Sequence, residues 1–177
     1  MPTLFLTGRP GVGKTTVIQG IVENLGEEAD GFYTEEIRES GKRQGFRLVG
    51  LRGEQVTMAH TRLRGRGRPH VGRYGVDVTA IEQVGVAALE RAIVQKRIVI
   101  IDEVGKMELF SQAFKRVVVA AMDGQAPVIA TVMARPQSWV DTLKARSDVT
   151  LWEVTPGNRE GMASRALEWV RSVQDSR

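Results

Sequence analysis

The sequence predicts an α/β fold: a mostly parallel sheet covered by helices on both faces, a three-layer sandwich, with a group of antiparallel strands inserted into it. Two observations carry this. Strand-like apolar runs alternate with stretches of helical period along most of the 177 residues. One run, Ile98–Ile101 (IVII), is continuously apolar, as a strand buried on both sheet faces must be. The antiparallel insertion is read from strand signals between about 32 and 76 that follow one another too closely for crossover helices.

Taken in order, TLFLT (3–7) is apolar and rich in strand formers. The next stretch places Val17, Ile18, Ile21, Val22 and Leu25 on one stripe, which predicts a helix over 14–25. GFYTEEIRE, QGFRLVGLR and VTMAH read as three strands, with SGKR as the turn between the first two. TRLRGRGRPHVGR reads as a basic loop, and Thr79 with Glu82 forms a capping box that opens a helix, TAIEQVGVAALERAIVQK. After IVII comes a helix from about 111, with Phe114, Val117, Val118, Ala121 and Met122 on one face. PVIATVM is another buried strand. A helix around 138–146, the strand VTLWEV and a last helix from Asn158, with Met162, Ala166, Val170 and Val173 as its apolar face, complete the pattern. No linker divides the chain, so one domain over 1–177 is expected.

Composition excludes several chemistries. The chain has no cysteine, so disulfides, thiolate metal sites and cysteine nucleophiles are absent. His60 and His70 are too few for a zinc or iron cluster and are expected on exposed loops. No apolar run approaches the roughly 18 residues of a membrane span, and MPTLFLTG lacks the features of a leader peptide. A cytoplasmic, monomeric protein is expected. The net charge of +4 is modest but uneven. Arg62, Arg64, Arg66, Arg68 and Arg73 crowd together with no acidic residue among them, a candidate nucleic-acid contact or a solvated loop.

The stretch GRPGVGKTT carries the clearest chemistry. Gly8, Gly13, Lys14 and Thr15 satisfy G-x-x-x-x-G-K-[ST], between a strand and a helix as the pattern requires. Backbone N–H groups can close on a phosphate chain only where Cβ atoms are out of the way. Lys14 supplies a cation for the β- and γ-phosphates, Thr15 a hydroxyl for Mg²⁺, and the helix N-terminus a positive dipole end.

Asp102 and Glu103 follow IVII, at a carboxyl end where ligands of α/β sheets bind. Asp102 suits a Mg²⁺-holding aspartate, and Glu103 is placed to polarise an attacking water. At least one strand is expected between those bearing the two motifs, which favours P-loop proteins that use a catalytic glutamate. Arg135 reads as an internal arginine finger or as a surface charge, and Thr131 as a polar sensor or a buried threonine. Thr34, Glu35 and Glu36 end a strand on the same edge and are candidates for ordering water or Mg²⁺.

Taken together, TGRPGVGKTT, GFYTEEIRE, GFRLVGL, VGRYGVDV, VIIDEVGKMELFS, ATVMAR and EVTPGNRE resemble the small P-loop nucleoside-triphosphatases called Thep-type or cancer-related NTPases, over about residues 3–173. Met133 departs from the proline that the family often has there. The resemblance implies one RecA-like α/β domain and Mg²⁺-dependent hydrolysis of ATP, GTP and other nucleoside triphosphates to diphosphate and phosphate. It places nucleotide contacts at Gly8, Arg9, Pro10, Gly11, Val12, Gly13, Lys14, Thr15 and Thr16. A second set would be Val99, Ile100, Ile101, Asp102, Glu103, Val104, Gly105 and Lys106.

No N-K-x-D base-reading motif occurs, so low base selectivity is expected. Two other readings stay open. One is a phosphotransferase acting on a nucleotide or a nucleic-acid 5′ end. The other is an RNA- or DNA-binding module switched by nucleotide, although no aromatic residue interleaves with the arginines before Tyr74.

Overall fold

Strand β1 (Thr3–Thr7) lies between two parallel neighbours, β8 (Val128–Val132) and β9 (Val149–Glu153). In this computed structural model, which describes residues 2–175, nine strands form one sheet in the order β5-β6-β4-β3-β2-β7-β8-β1-β9. The remaining strands are β2 (Ala29–Glu39), β3 (Lys42–Gly50), β4 (Gln55–His60), β5 (His70–Val71), β6 (Tyr74–Val76) and β7 (Ile98–Val104). β8 separates β1 from β7, so the strand expected between the two phosphate-site motifs is present.

Alternation along the strands sorts side chains into two layers. Leu4, Leu6, Ile98, Ile100 and Ile129 face one side, where α1 (Lys14–Leu25) adds Val17, Ile18 and Ile21. On that side α6 (Arg159–Asp175) adds Met162, Ala166 and Val170. Phe5, Val99, Ile101, Val128 and Ala130 face the other side. There α3 (Ala87–Val94), α4 (Gln112–Asp123) and α5 (Ser138–Lys144) cover them, with Leu89, Phe114 and Val140 among the buried contacts. All five residues expected on the inner face of α4 are buried. Ser111 caps α4 by accepting from the Phe114 N–H at 3.0 Å.

β2 changes partner along its length. Residues 29–32 pair parallel with β7, whereas 32–39 pair antiparallel with β3. The second half of β2 therefore runs past the carboxyl edge of the parallel sheet and carries β3, β4, β6 and β5 with it. This wall stands beside the strand ends where the ligand site forms.

Three expectations are corrected here. The helix after the basic segment is capped by Asp77, whose carboxylate accepts from the Ala80 N–H at 3.1 Å, and not by Thr79. Glu82 instead accepts from the Ser111 hydroxyl at 2.7 Å, so it has left the capping box for a tertiary contact. That helix begins as α2 (Val78–Ala80) and passes through a π-helical stretch (Ile81–Val86) into α3. The basic segment is not all loop, since β5 lies within it and pairs with β6 just beyond its end. His60 lies in β4, partly buried, whereas His70 is exposed in β5.

Candidate phosphate and metal site

The loop after β1 is shaped by its glycines. Gly8 has φ 155°, and a Cβ there would stand 2.6 Å from the Val154 carbonyl oxygen. Gly13 sits at φ 110° as the first cap of α1, a left-handed conformation that a side chain resists. Lys14 folds back over this loop and donates to the carbonyls of Gly8 (3.0 Å) and Arg9 (3.3 Å). Its ammonium is thus held at the loop rather than out in solvent, and the α1 N-terminus points into the same space.

Asp102 is the hub. Only 1% exposed, it accepts from the Thr15 hydroxyl at 2.8 Å through Oδ2 and from the Thr131 hydroxyl at 2.5 Å through Oδ1. The Thr34 N–H and hydroxyl also donate to Oδ2, both at 3.3 Å. Four elements meet here: α1, β2, β7 and β8. Thr131 is thus a buried threonine whose hydroxyl is spent on the Asp102 carboxylate rather than on backbone.

The donor set fits Mg²⁺. Adjacent ligands of an octahedral Mg²⁺ at 2.0–2.1 Å stand about 2.9 Å apart. Thr15 Oγ1 and Asp102 Oδ2, at 2.8 Å, already have that spacing. Both are hard oxygens. Among the described residues no cluster of three or more His, Cys, Asp or Glu residues could hold a metal alone. A cation held here would share its shell with phosphate oxygens and water, as Mg²⁺ ordinarily does in nucleotide sites.

Glu103 follows Asp102 and lines the same cavity. Burial and the neighbouring Asp102 charge raise its carboxyl above the usual range, and Lys14 partly offsets them. Glu108, in the short 3-10 turn Glu108–Phe110, is 3% exposed and was not singled out from the sequence. It accepts the Gly105 N–H at 3.2 Å. Burial, then the charges of Glu103 and Asp102, push it up to about 8, so it is largely protonated at neutral pH. A Cβ on Gly105 would stand 3.1 Å from Glu108 Oε2 and 3.2 Å from Glu103 Oε1, so glycine there lets both carboxyls share the turn.

The cavity, about 980 Å³, is lined by Gly8, Pro10, Gly11, Gly13, Lys14, Thr15 and Thr16 from the loop, by Asp102, Glu103, Gly105 and Lys106, and by Arg135. Several expected contacts do not reach it. Val99, Ile100, Ile101 and Val104 are buried in the two core layers, where β7 needs them, and Val12 is buried beneath the loop. Arg9 is exposed and offers its carbonyl to Lys14.

This chain is similar to known proteins throughout its length. The family model described as NTPase matches residues 3–167. The nucleoside-triphosphatase THEP1 of Thermotoga maritima is 43% identical over 168 residues, which cover 95% of each chain. The human cancer-related nucleoside-triphosphatase is 37% identical over 183 residues, covering 96% of each. The chain belongs to the NTPase family. The crystal structure of THEP1 from the hyperthermophile Aquifex aeolicus superimposes with a TM-score of 0.87 at 36% identity, covering 95% of this chain and 98% of that one. The solution structure of the human protein gives 0.83 at 36% identity, with full coverage of both.

Within this member of the NTPase family, the insertion contributes residues that the sequence did not mark: Arg43, Phe46, Met58 and Val71 all line the cavity. They are ordinary strand residues with no spacing to betray them. Thr34, Glu35 and Glu36, the candidates for ordering water or Mg²⁺, line the cavity, and Glu36 is also held by Arg38 (2.8 Å) and Arg43 (2.9 Å). The arginine-rich segment is partly occupied too. Arg62 pairs with Glu39 at 2.7 Å, Arg64 donates to the Thr61 carbonyl, and Arg68 to that of Val76. Arg73 donates to the Arg43 carbonyl and the Tyr74 hydroxyl.

Proposed function

We propose that this chain is a Mg²⁺-dependent nucleoside-triphosphatase that converts ATP, GTP and other nucleoside triphosphates to diphosphate and phosphate with low base selectivity. The observation that carries it is the 2.8 Å approach of Thr15 Oγ1 to Asp102 Oδ2, beside Lys14 and Glu103. When bound there, Mg²⁺ would neutralise phosphate charge between the β and γ positions. Lys14 moves from its loop carbonyls onto the β- and γ-phosphates. Glu103 accepts a hydrogen bond from water and holds it in line with the γ-phosphorus. The water oxygen bonds to phosphorus as the β–γ bridging bond breaks, that electron pair leaves on the diphosphate, and the water's proton passes to an oxygen of the released phosphate. Arg135 stands at the γ side as the third charged partner. The transition state is loose, so position counts for more than basicity.

The names of the relatives support the hydrolytic reading. Base tolerance is supported by the loop side of the cavity, which consists of backbone amides and groups suited to phosphate. We take the enzyme to be one domain, monomeric and cytoplasmic. Among the described residues no helix is long and apolar enough to cross a membrane.

The test is phosphate release from ATP, GTP, CTP and UTP, with Mg²⁺ and with a chelator. The four kcat/KM values should lie within about tenfold, a spread of roughly 1.4 kcal/mol. Release should stop when the metal is removed. A preference of several hundredfold for one base, or full activity without divalent cations, would refute the reading.

A further inference from the structure

The cavity is larger than a triphosphate tail requires. Lys14, Thr15 and Asp102 fix the γ end of a triphosphate at β7, so its nucleoside runs back along the loop, away from the insertion. Yet the cavity continues in the other direction. Phe46 on β3 and Met58 on β4 lie two and three strands beyond β7, about 10 and 14 Å at the usual strand spacing. At about 980 Å³ the space is at the upper end of the roughly 300–1,000 Å³ typical of single-ligand pockets.

The far side has its own chemistry. Phe46, Met58, Met107 and Met133 give it soft, apolar walls suited to a flat ring. Arg43 is already engaged by Glu36 (2.9 Å) and Tyr74 (3.0 Å). Lys106 and Arg135, in contrast, are exposed on the rim and have no hydrogen bond or ion pair among the described residues. A flat ring with an anionic group would meet the apolar wall and these two cations together.

We propose that the insertion side of the cavity is an acceptor pocket for a nucleoside monophosphate, which takes the γ-phosphoryl group in place of water. The inference rests on the phosphate site proposed above. An oxygen of the acceptor's phosphate forms the new bond to the γ-phosphorus. The β–γ bridging bond breaks, its electron pair leaves on the donor diphosphate, and the products are two nucleoside diphosphates. The acceptor phosphate has a second pKa near 6 and is largely dianionic at pH 7. It therefore needs no base, whereas water relies on Glu103.

This difference supplies the test. The full chain is incubated with γ-labelled ATP, Mg²⁺ and AMP, GMP, CMP or UMP, and label is followed into nucleoside diphosphate and free phosphate. With at least one saturating monophosphate, label in diphosphate should exceed label in free phosphate tenfold or more. Glu103→Gln should cut phosphate release by about 10²–10⁴-fold, while transfer falls less than about tenfold. Val71→Glu, which puts a carboxylate on the pocket wall, should lower transfer at least tenfold and leave release to water unchanged. Phe46→Leu keeps the apolar volume but removes the ring, and should weaken acceptor use in the same direction. Label confined to free phosphate with all four monophosphates overturns the acceptor pocket and leaves the hydrolase reading standing. Loss of release and transfer alike overturns both. Label moved to the end of an oligonucleotide but to no monophosphate also overturns the proposal.

Discussion

The two sides of the cavity are built differently. On the loop side, function rests on backbone: positive-φ glycines, a helix N-terminus, and a buried aspartate held by hydroxyls of three elements. On the insertion side it rests on side chains of neighbouring strands, joined by ion pairs such as Arg43–Glu36 whose partners are 44% and 38% exposed. Backbone amides and a buried hub keep their positions without solvent's help. Exposed pairs are screened and contribute little. The loop side should therefore set the rate, and the insertion side what else the cavity accepts.

The strongest way to break this comparison is Lys14→Ala. Among the described residues Lys14 is the one side chain that donates to the Gly8 and Arg9 carbonyls, so kcat/KM for hydrolysis should fall by about 10³-fold or more, together with triphosphate affinity. Full activity in the variant would move the site elsewhere. Glu103→Gln comes next, with kcat down by about 10²–10⁴-fold. Triphosphate affinity by calorimetry should stay near that of the parent, because Lys14, Thr15 and Asp102 remain. Lost binding would instead make Glu103 a metal ligand.

Glu108 sharpens the comparison through pH. Its carboxyl rises from the ordinary 4.5 to about 8 on folding. Between those values the folded chain keeps a proton that the unfolded chain has lost, so this group's contribution falls as pH rises. It is at its best below about 4.5 and is fully lost above about 8. Glu108→Gln cannot ionise. Thermal melts from pH 5 to pH 8.5 should show the parent losing stability relative to the variant by up to a few kcal/mol. Parallel curves would mean that Glu108 is ionised throughout.

Smaller effects should follow at two further positions. Thr131→Val removes the hydroxyl on Asp102 Oδ1, and activity or Mg²⁺ affinity should drop about 10–100-fold, the usual cost of losing such a support. Arg43→Met, on the insertion side, should leave hydrolysis within about twofold and cost about 1 kcal/mol or less. If Arg43→Met slowed hydrolysis as much as Thr131→Val, the division between the two sides would be wrong.

Sequence reading went furthest where chemistry is local. GRPGVGKTT states its own geometry because a phosphate-binding loop requires glycine, lysine and threonine at fixed offsets, and the helix over 14–25 follows directly. IVII shows a doubly buried strand, so the α/β fold and Asp102 at its end were legible, as was the buried face of α4. Val99–Ile101 are expected at the site from the family resemblance, whereas their side chains are buried in the core. The Asp77 cap and the β5–β6 hairpin are local but compete with equally plausible neighbours, whereas Glu82 on Ser111 depends on which partner comes near.

What the sequence determined alone is the set of motifs and the period of each element, because neighbouring backbone dihedrals and apolar spacing are local quantities. Tertiary structure alone decided that Thr34 and Thr131 converge on Asp102 and that Glu108 is buried beside Glu103. It also decided that Phe46 and Met58 face the phosphate loop across the cavity. Apart from Glu103 and Glu108, these contacts join residues 29 or more positions apart, and they exist only because the sheet lays strands distant in the chain beside one another.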